Sequence, residues 1–466
     1  MTPIARRNPA CFFLTMGNLL TSMLLSFILF TSLKVGAAIP QFHNIQIDGI
    51  LIGHEATFQD SEMMANDQPM TFSTPHKREK IEAFAFAIAK RRKELPQDIK
   101  RNLSAAFKPF VKMQFAQETV ALTMEPGCVE ANQSPKSIFE IRKAWTPIFQ
   151  AARDVNLAND VYRLGTFGGG GHFHVGGRSK AENPFWLNPL MLRNVLVYTH
   201  QHPSLLYGFS EAYDMGRFSS IRALHSQFWQ RQFRAAIDEF DSWYARATAN
   251  ERSDKGLGFL LRQLQDYCPI FFDHDVFINL EHSMAMARPG TTNEKATVEW
   301  RNFRPLENPD QVEAVAGLIL KVMDKMAEPG FVVPFRMFSG QEVLNFTGPA
   351  TTEYDWQLVK AELALSDPRL DEMLLAYTRN SNLKKRSYRD GKIQEAYSEL
   401  ARRGANEEIV LPLRKGEPLP VIQYQGGGYV AAEIVKNGRR FAAAVIPQDK
   451  RKRARSCNES LKKTGS

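Results

Sequence analysis

The stretch "ATVEWRNFRPLENPDQVEAVAGLIL", residues 296–320, joins two different periodicities. Its first part alternates polar and apolar side chains, which predicts a β-strand. Its second part begins with Asn308, Pro309 and Asp310, residue types that favour the start of a helix. The residues that follow repeat apolar side chains at the spacing of an amphipathic helix. The stretch therefore predicts a strand followed directly by a helix.

The strand in this stretch is expected to have one polar face. Side chains two residues apart on a strand point to the same side, so the pattern places Glu299, Arg301 and Phe303 together, with Val298 and Trp300 opposite. A glutamate beside an arginine, with bulky apolar residues behind, suits a sheet whose front is a wet cleft and whose rear is covered by helices. Taken alone, the Glu-x-Arg pair fits a simple intrastrand ion pair better than a site.

A second polar strand is predicted in "TFGGGGHFHVGG", residues 166–177. The same two-residue spacing places His172 and His174 on one face. Glycines such as Gly170 and Gly171 allow a backbone to approach an anion closely. Alone, the histidine pair suits a structural role and the glycine run suits a loop, because neither has the spacing of a known phosphate-binding loop.

Carboxylates occur on other predicted strands. Glu55 lies on the first strand, in "GHEATF", and Glu125 and Glu130 flank a tight turn in "MEPGCVE". Hard divalent cations prefer carboxylate oxygens with an occasional imidazole, and a nucleotide adds phosphate oxygens. Arginine offers a fork of N–H donors to carboxylate or phosphate. Together with the histidines and Arg301, these carboxylates are candidates for a site that binds metal and phosphate.

The order of elements predicts an α+β domain with a largely antiparallel sheet. Polar-faced strands are interrupted by helical blocks, and no internal repeat is present. The predicted strands are one ending near Phe58, two in 119–133, the histidine strand, one in "DHDVFINLEHSMAM" and the strand within 296–320. The predicted helices run from Lys77 to Arg92, from Ile138 to Val155, through 189–249 and from 308, with two more and a small β-rich end after Pro334.

The charge distribution gives little support to a nucleic-acid partner. The formal net charge is +9 over 466 residues, but the excess of Lys and Arg is concentrated near the two ends. The tail "DKRKRARS", from Asp449, is most simply a solvated basic segment. The body of the chain is close to neutral, so nucleic-acid binding is not expected.

The N-terminus predicts a targeting segment. Arg6 and Arg7 precede an uncharged run that ends at Leu33, and small residues near Ala37 suit signal cleavage. The run is also close to the length that spans a bilayer, which favours export or a membrane anchor. A soluble cytoplasmic chain with a misassigned start is the alternative.

Four segments are predicted. They are a signal peptide or anchor at 1–37, a catalytic-type domain at 38–335, a helical and small β extension at 336–448 and a basic tail at 449–466. Cys128 and Cys268 could pair, although separate buried thiols are the simpler interpretation.

The order of these motifs resembles the glutamine synthetase-like carboxylate-amine ligases, and within them the amidoligases and glutamate-cysteine ligases. The resemblance covers roughly residues 45–330 through "GHEATF", "EPGCVEANQSP", "GGGGHFHVGG", "DVFINLEH" and the strand-helix stretch at 296–320. It implies a curved, largely antiparallel sheet with one open catalytic face and helices behind. It also implies an enzyme that uses ATP and Mg²⁺ or Mn²⁺ to join a carboxylate to an amine through an acyl phosphate. Its substrates would be small-molecule or peptide carboxylates and amines.

The resemblance also implies roles for individual residues. The metal ligands would be Glu55, Glu125, Glu130, His172 and Glu299. His174, with Gly170 and Gly171 beside it, would contact the nucleotide phosphates, and Arg304 and Asn279 would contact nucleotide or substrate. Arg301 and Glu299 would act in phosphoryl transfer.

Two features depart from this family pattern. Thr57 stands where the family has a second acid, two residues after Glu55, which puts one metal position in question. The predicted leader is the second feature, because an exported domain meets little ATP. These departures leave two alternatives: a non-catalytic exported binding or scaffold protein that retains the fold, and a related phosphotransferase that uses the same cations and arginines.

Overall fold

The computed structural model of the chain describes residues 50–60, 75–104, 108–125, 128–158, 171–177, 182–209, 224–225, 227–272, 277–284, 297–339, 342, 349–379, 410–412, 430–436 and 439–445. The predicted leader at 1–37, the basic tail at 449–466, and Gly170 lie outside these residues. The predicted division into four segments stays a prediction.

An antiparallel sheet organises the described residues. Its nine strands are β1 (Ile52–Asp60), β2 (Asp98–Asn102), β3 (Phe110–Gln114), β4 (Thr119–Glu125), β5 (Cys128–Gln133), β6 (Leu157–Ala158), β7 (Gly171–Gly176), β8 (Ile278–Asn279) and β9 (Thr297–Phe303). Their order is β2-β3-β4-β5-β1-β7-β9-β8, with β6 also on β1. Each of these described pairs is antiparallel.

The helices predicted at 77–92, at 138–155 and from 308 are confirmed, whereas the helix at Ala249–Tyr267 lies beyond the predicted helical region 189–249. The helices of the described residues are α1 (Pro75–Arg92), α2 (Ile138–Asp154), α3 (Pro184–Leu187), α4 (Pro189–Gln201), α5 (Gln227–Arg246), α6 (Ala249–Tyr267), α7 (Glu281–Met284), α8 (Pro309–Met326), α9 (Pro349–Glu362) and α10 (Pro368–Arg379). Asn308 caps α8 as predicted, because its side chain accepts the N–H of Gln311. The fold is therefore α+β, with helices packed on an open and largely antiparallel sheet.

The apolar face of the central strand forms the core. Phe58 of β1 lies between Phe84 of α1 and Phe149 of α2, with ring centroids 5.4 and 5.3 Å away. On the same face, the ring of His54 lies 4.7 Å from that of Trp145 in α2. Burial of these rings removes a large apolar area from water, which is the main force that holds α1 and α2 against the sheet.

The C-terminal helices also pack on the described body. Asp355 of α9 accepts hydrogen bonds from the backbone and hydroxyl of Ser204, at 2.8 and 2.6 Å, and contacts His202 Nδ1 at 2.9 Å. Ser204 opens a π-helical turn at Ser204–Gly208 that follows α4. Farther along, β10 (Val410–Pro412), β11 (Val430–Lys436) and β12 (Arg439–Val445) form a separate small sheet in the order β10-β12-β11.

Two expectations about local structure need correction, and one hairpin was not predicted. The strand in "DHDVFINLEHSMAM" is short: β8 has only two residues, and α7 follows at Glu281. The hairpin of β2 and β3 carried no clear alternation and was not predicted. Phe303 does not share the face of Glu299 and Arg301, because its ring contacts Phe173 on the apolar side at 5.5 Å.

A β-bulge explains the position of Phe303. Phe173 pairs with Trp300, and Gly171 pairs with Phe303. A step of two residues along β7 therefore matches a step of three residues along β9. The extra residue reverses the alternation beyond Arg301. Sequence periodicity cannot locate such a bulge, because it assumes an unbroken two-residue repeat.

Cys128 and Cys268 are both buried and form no disulfide bond, which confirms the simpler interpretation of the cysteines. Among the described residues, no helix combines the length and apolar character needed to cross a membrane.

His200, in the last turn of α4, is buried in an aromatic cluster. Its ring lies 4.5 Å from His225 and 5.5 Å from Phe335, and neither ring nitrogen has a hydrogen-bond partner among the described residues. Burial, reinforced by the charge of His225, holds the pKa of His200 well below its ordinary value of 6.5. The folded protein therefore keeps this imidazole neutral.

We expect this histidine to make stability fall in acid. Below pH 6.5 the unfolded chain binds a proton at His200 that the folded chain does not, so the free energy of unfolding decreases by about 1.4 kcal/mol per pH unit. Between pH 7 and pH 5, the free energy of unfolding should fall by about 2 kcal/mol less in His200→Phe than in wild type, as measured by urea unfolding. Phe233→Leu, a change in the same cluster, is the control and should shift stability equally at both pH values. Equal pH dependence in His200→Phe and wild type would contradict the prediction.

Candidate metal centre

The centre of the sheet brings three strands together on its polar face. Glu55 of β1 lies directly opposite His172 of β7, and His174 of β7 lies opposite Glu299 of β9. Residues paired across antiparallel strands point to the same side. The register therefore gathers side chains that are far apart in the sequence.

The side chains of these four residues lie within contact distance. His174 Nε2 is 3.2 Å from Glu55 Oε1 and 3.7 Å from Glu299 Oε1. His172 Nδ1 is 3.2 Å from Glu55 Oε2 and 3.4 Å from Glu299 Oε1. Both imidazoles thus face the same two carboxylates, as the sequence analysis expected for His172 and His174 on one face.

Two overlapping groups of potential ligands share Glu55. One consists of Glu55, His174 and Glu299, and the other of Glu55, Glu130 and His172. In each group the ligand atoms lie within 4.8 Å of one another. Carboxylate oxygens with one imidazole nitrogen form the donor set expected for Mg²⁺ or Mn²⁺. The structure thus brings together four of the five predicted metal ligands.

Arg301 and Asn279 hold Glu299 from two sides. Arg301 Nη1 donates to Glu299 Oε1 at 2.5 Å, and Asn279 Nδ2 donates to Glu299 Oε2 at 3.3 Å. The amide of Asn279 can take only this orientation, because its Oδ1 already accepts the backbone N–H of Glu281 at 2.7 Å. Asn279 is thus placed against a candidate metal ligand, and its predicted contact with nucleotide or substrate remains a prediction.

The polar face is partly buried. Glu299 is 2% exposed and Arg301 5% exposed, whereas the side chains of Glu55 and His174 are 23% and 18% exposed. A buried carboxylate is stable only with compensating charge or hydrogen bonds. Arg301, His172 and His174 supply that compensation.

The electrostatic coupling appears in two opposite pKa shifts. Burial raises the pKa of Glu55, but contacts with His172 and His174 outweigh burial and hold it well below its usual range. Burial lowers the pKa of His174, but Glu55 and Glu299 outweigh burial and raise it above 6.5. A neighbouring cationic imidazole and carboxylate thus favour each other's charged forms.

One buried atom in the centre lacks a suitable partner. His174 Nε2 lies near two carboxylates, but neither is aligned for a hydrogen bond with it, and the described residues offer no other partner. Buried nitrogen atoms are rarely left in this state. A cation between Nε2 and the two carboxylates would satisfy all three groups, so the residues present fit a metal ion.

The other face of β1 and β7 supports the centre from behind. His54 Nδ1 donates to the backbone oxygen of His172 at 3.0 Å, and the His54 ring stacks on Phe173 with centroids 4.4 Å apart. Burial lowers the pKa of His54 to about 3. His54 is therefore neutral and structural, and it fixes the strand that carries the two front histidines.

Three further predicted residues are placed by backbone contacts. The backbone of Glu125 pairs with Cys128 at the end of β4, and its side chain lies outside the described residues. Arg304 is buried, and its backbone N–H donates to Phe209. At Gly171 an added Cβ would lie 2.8 Å from the oxygen of Arg304, so strand packing by itself explains this glycine. The expected phosphate contacts of Gly170, Gly171 and Arg304 remain predictions.

The sequence analysis did not identify three residues at this centre. Asn132 Nδ2 donates to Glu130 Oε1 at 2.7 Å, and Thr297 Oγ1 contacts His174 Nδ1 at 3.2 Å. His282 of α7 has its ring centroid 6.4 Å from that of His174. The two-residue periodicity already implied the first two, since Asn132 follows Glu130 and Thr297 precedes Glu299 on the same face.

Comparison with known proteins adds one family. Residues 111–221 match the family described as "Putative amidoligase enzyme (DUF2126)". This part of the chain is similar to amidoligases. The matched segment includes Glu130, His172 and His174, whereas Glu55 and Glu299 lie outside it. No curated protein matches the chain significantly.

We expect Glu55→Gln to lower the pKa of His174. Glu55 is the nearest carboxylate to its Nε2 and the main group that opposes the effect of burial. An isosteric amide removes that charge, so the imidazole should lose its proton at a lower pH. Histidine NMR titration of the metal-free protein would measure the shift. Glu239→Gln, at an exposed position of α5, is the control, and an unchanged pKa of His174 in Glu55→Gln would show that the carboxylate does not control it.

Proposed function

We propose that this chain is an ATP- and Mg²⁺-dependent carboxylate-amine ligase of the amidoligase type. The observation that carries the proposal is the cluster of Glu55, His174 and Glu299, of which Glu299 is buried and the other two are half-buried, and in which Nε2 of His174 lacks an aligned partner. The amidoligase similarity of residues 111–221 independently supports a ligase. An antiparallel sheet with a polar front and a helix-covered rear supports a glutamine synthetase-like catalytic fold for the chain, near the glutamate-cysteine ligase branch.

The second ligand group supports a working site despite Thr57. Thr57 lies opposite Glu130 across β1 and β5, so Glu130 supplies a carboxylate beside the position where an acid was expected. Asn132 donates to Glu130 and fixes one of its oxygens. The group of Glu55, Glu130 and His172 thus retains two carboxylates and an imidazole. This favours a catalytic protein over a scaffold that has lost a metal position.

The proposed chemistry has two steps. A carboxylate oxygen of the acid attacks the γ-phosphorus of ATP, and ADP leaves. The amine nitrogen then attacks the acyl carbon of the acyl phosphate, the C–N bond forms, phosphate leaves, and the surplus amine proton passes to phosphate or solvent. The products are an amide, ADP and phosphate.

The residues of the centre match the demands of these steps. Magnesium or manganese, held by Glu55, Glu299, Glu130 and the two histidines, would offset negative charge on the transferring phosphoryl group. Arg301 is pre-positioned by its bond to Glu299 Oε1. Its cationic guanidinium on the same face suits a negatively charged oxygen. Asn279 keeps Glu299 from rotating away.

Metal binding is the first test. Mn²⁺ should bind wild-type protein, and Glu55→Gln and Glu299→Gln should each weaken binding at least about tenfold because each removes an anionic ligand oxygen. Electron paramagnetic resonance of free Mn²⁺ measures the affinity directly. Glu239→Gln, at an exposed position, should bind as wild type does. Equal affinity in all four proteins would place the metal elsewhere and sink the assignment.

Hydroxylamine can test the ligase step without knowledge of the natural amine. Incubated with Mg²⁺, ATP and a panel of amino-acid and peptide carboxylates, the protein should release ADP and convert the accepted acid to its hydroxamate. Glu299→Gln should abolish both products, while Glu239→Gln should not.

Different product patterns separate the alternatives. A stable phosphorylated compound with no hydroxamate indicates a phosphotransferase. Metal and nucleotide binding without ADP release from any acid indicates a non-catalytic protein that retains the fold.

A further inference from the structure

Thr297 contacts the candidate ligand His174 on the side away from the carboxylates. Its hydroxyl oxygen lies 3.2 Å from Nδ1 of His174, while Nε2 of the same ring faces Glu55 and Glu299. Thr297 is the first residue of β9 and lies two positions before Glu299, so both side chains project from the same face.

Neighbouring elements fix the position of Thr297. Its backbone pairs with Gly176 of β7, and its carbonyl oxygen accepts a hydrogen bond from the hydroxyl of Ser283 at 2.8 Å. Ser283 belongs to α7, which directly follows β8. The hydroxyl of Thr297 is therefore held at Nδ1 by backbone contacts on two sides.

The two roles considered for His174 require different tautomers. A neutral imidazole carries hydrogen on one nitrogen and a lone pair on the other. A metal ligand needs the lone pair on Nε2 and the hydrogen on Nδ1, whereas a direct donor to nucleotide phosphate needs the hydrogen on Nε2. The group at Nδ1 decides between them.

The surrounding charges favour the metal ligand. Nε2 of His174 lies 3.2 Å from Glu55 and 3.7 Å from Glu299, so an anionic phosphate placed directly at Nε2 would meet two carboxylates. A cation placed there would be attracted by both. The hydroxyl oxygen of Thr297 can accept the Nδ1 hydrogen that this arrangement requires.

We propose that Thr297 is a positioning residue that accepts the Nδ1 hydrogen of His174 and so orients the Nε2 lone pair toward a cation held beside the Glu55 and Glu299 carboxylates. This role rests on the proposed function, because without a cation the two carboxylates favour hydrogen on Nε2. His174 then acts as a metal ligand, and its expected contact with phosphate is replaced by one made through the cation.

Nitrogen NMR of histidine-labelled protein tests the tautomer directly. The chain has 10 histidines, and comparison with His174→Gln assigns the signals of His174. In protein saturated with Mg²⁺, wild type should show hydrogen on Nδ1 of His174 and none on Nε2, because the cation takes the Nε2 lone pair. Hydrogen on Nε2 under these conditions would overturn the proposal and restore the direct phosphate role.

Mn²⁺ affinity tests the consequence for the centre. Loss of a group that orients a metal-binding histidine typically costs about 10–100-fold in affinity, which is the decrease expected for Thr297→Val. Thr297→Ser should stay close to wild type. Unchanged affinity in a folded Thr297→Val protein, verified by circular dichroism, would overturn the positioning role. If wild type binds no Mn²⁺, the proposed function fails, whereas equal Mn²⁺ affinity in wild type and Thr297→Val contradicts only the role of Thr297.

Discussion

Glu55 faces His172 across β1 and β7, and Glu299 faces His174 across β7 and β9. These two cross-strand pairs bring the carboxylates and imidazoles of the centre together. The same register lets Thr297 of β9 reach His174 of β7, while Asn279 reaches Glu299 through the pairing of β8 with β9. The same register places Phe173 and Trp300 on the opposite face, where they join the apolar core. One pattern of backbone hydrogen bonds thus determines both the polar centre and the packing behind it.

Part of the candidate metal centre lies inside the segment that matches a known family, and part lies outside it. The segment similar to amidoligases supplies Glu130 and both histidines, but it contains neither Glu55 nor Glu299. The sheet brings those two carboxylates to it from β1 and β9. Glu55 precedes the matched segment in the sequence and Glu299 follows it. The motifs at residues 53–58 and 296–320 are therefore needed to complete the ligand set that residues 111–221 supply only in part.

Much of the fold and part of the centre follow from short-range sequence patterns. The two-residue repeat located β7 and β9 and correctly placed His172 with His174, because both lie on one regular strand. The same repeat failed at Phe303, where a bulge depends on how β9 pairs with β7. Strand order and register depend on contacts between distant residues, so the approach of Glu55 to His174 could come only from the family resemblance. The same repeat places Thr297 on the face of Glu299, but its contact with His174 depends on how β9 pairs with β7 and so was missed.

The alternation of faces along β1 has a consequence for how this protein can vary. Glu55 lies between His54 and Ala56, which both point to the apolar side with Trp145 and Phe173. Inserting or deleting one residue at the start of β1 would turn the carboxylate into that core and bring an apolar neighbour forward. Exchanges between similar side chains preserve the geometry, whereas changes in strand length destroy it. Selection should therefore act more strongly against insertions and deletions in this strand than against substitutions.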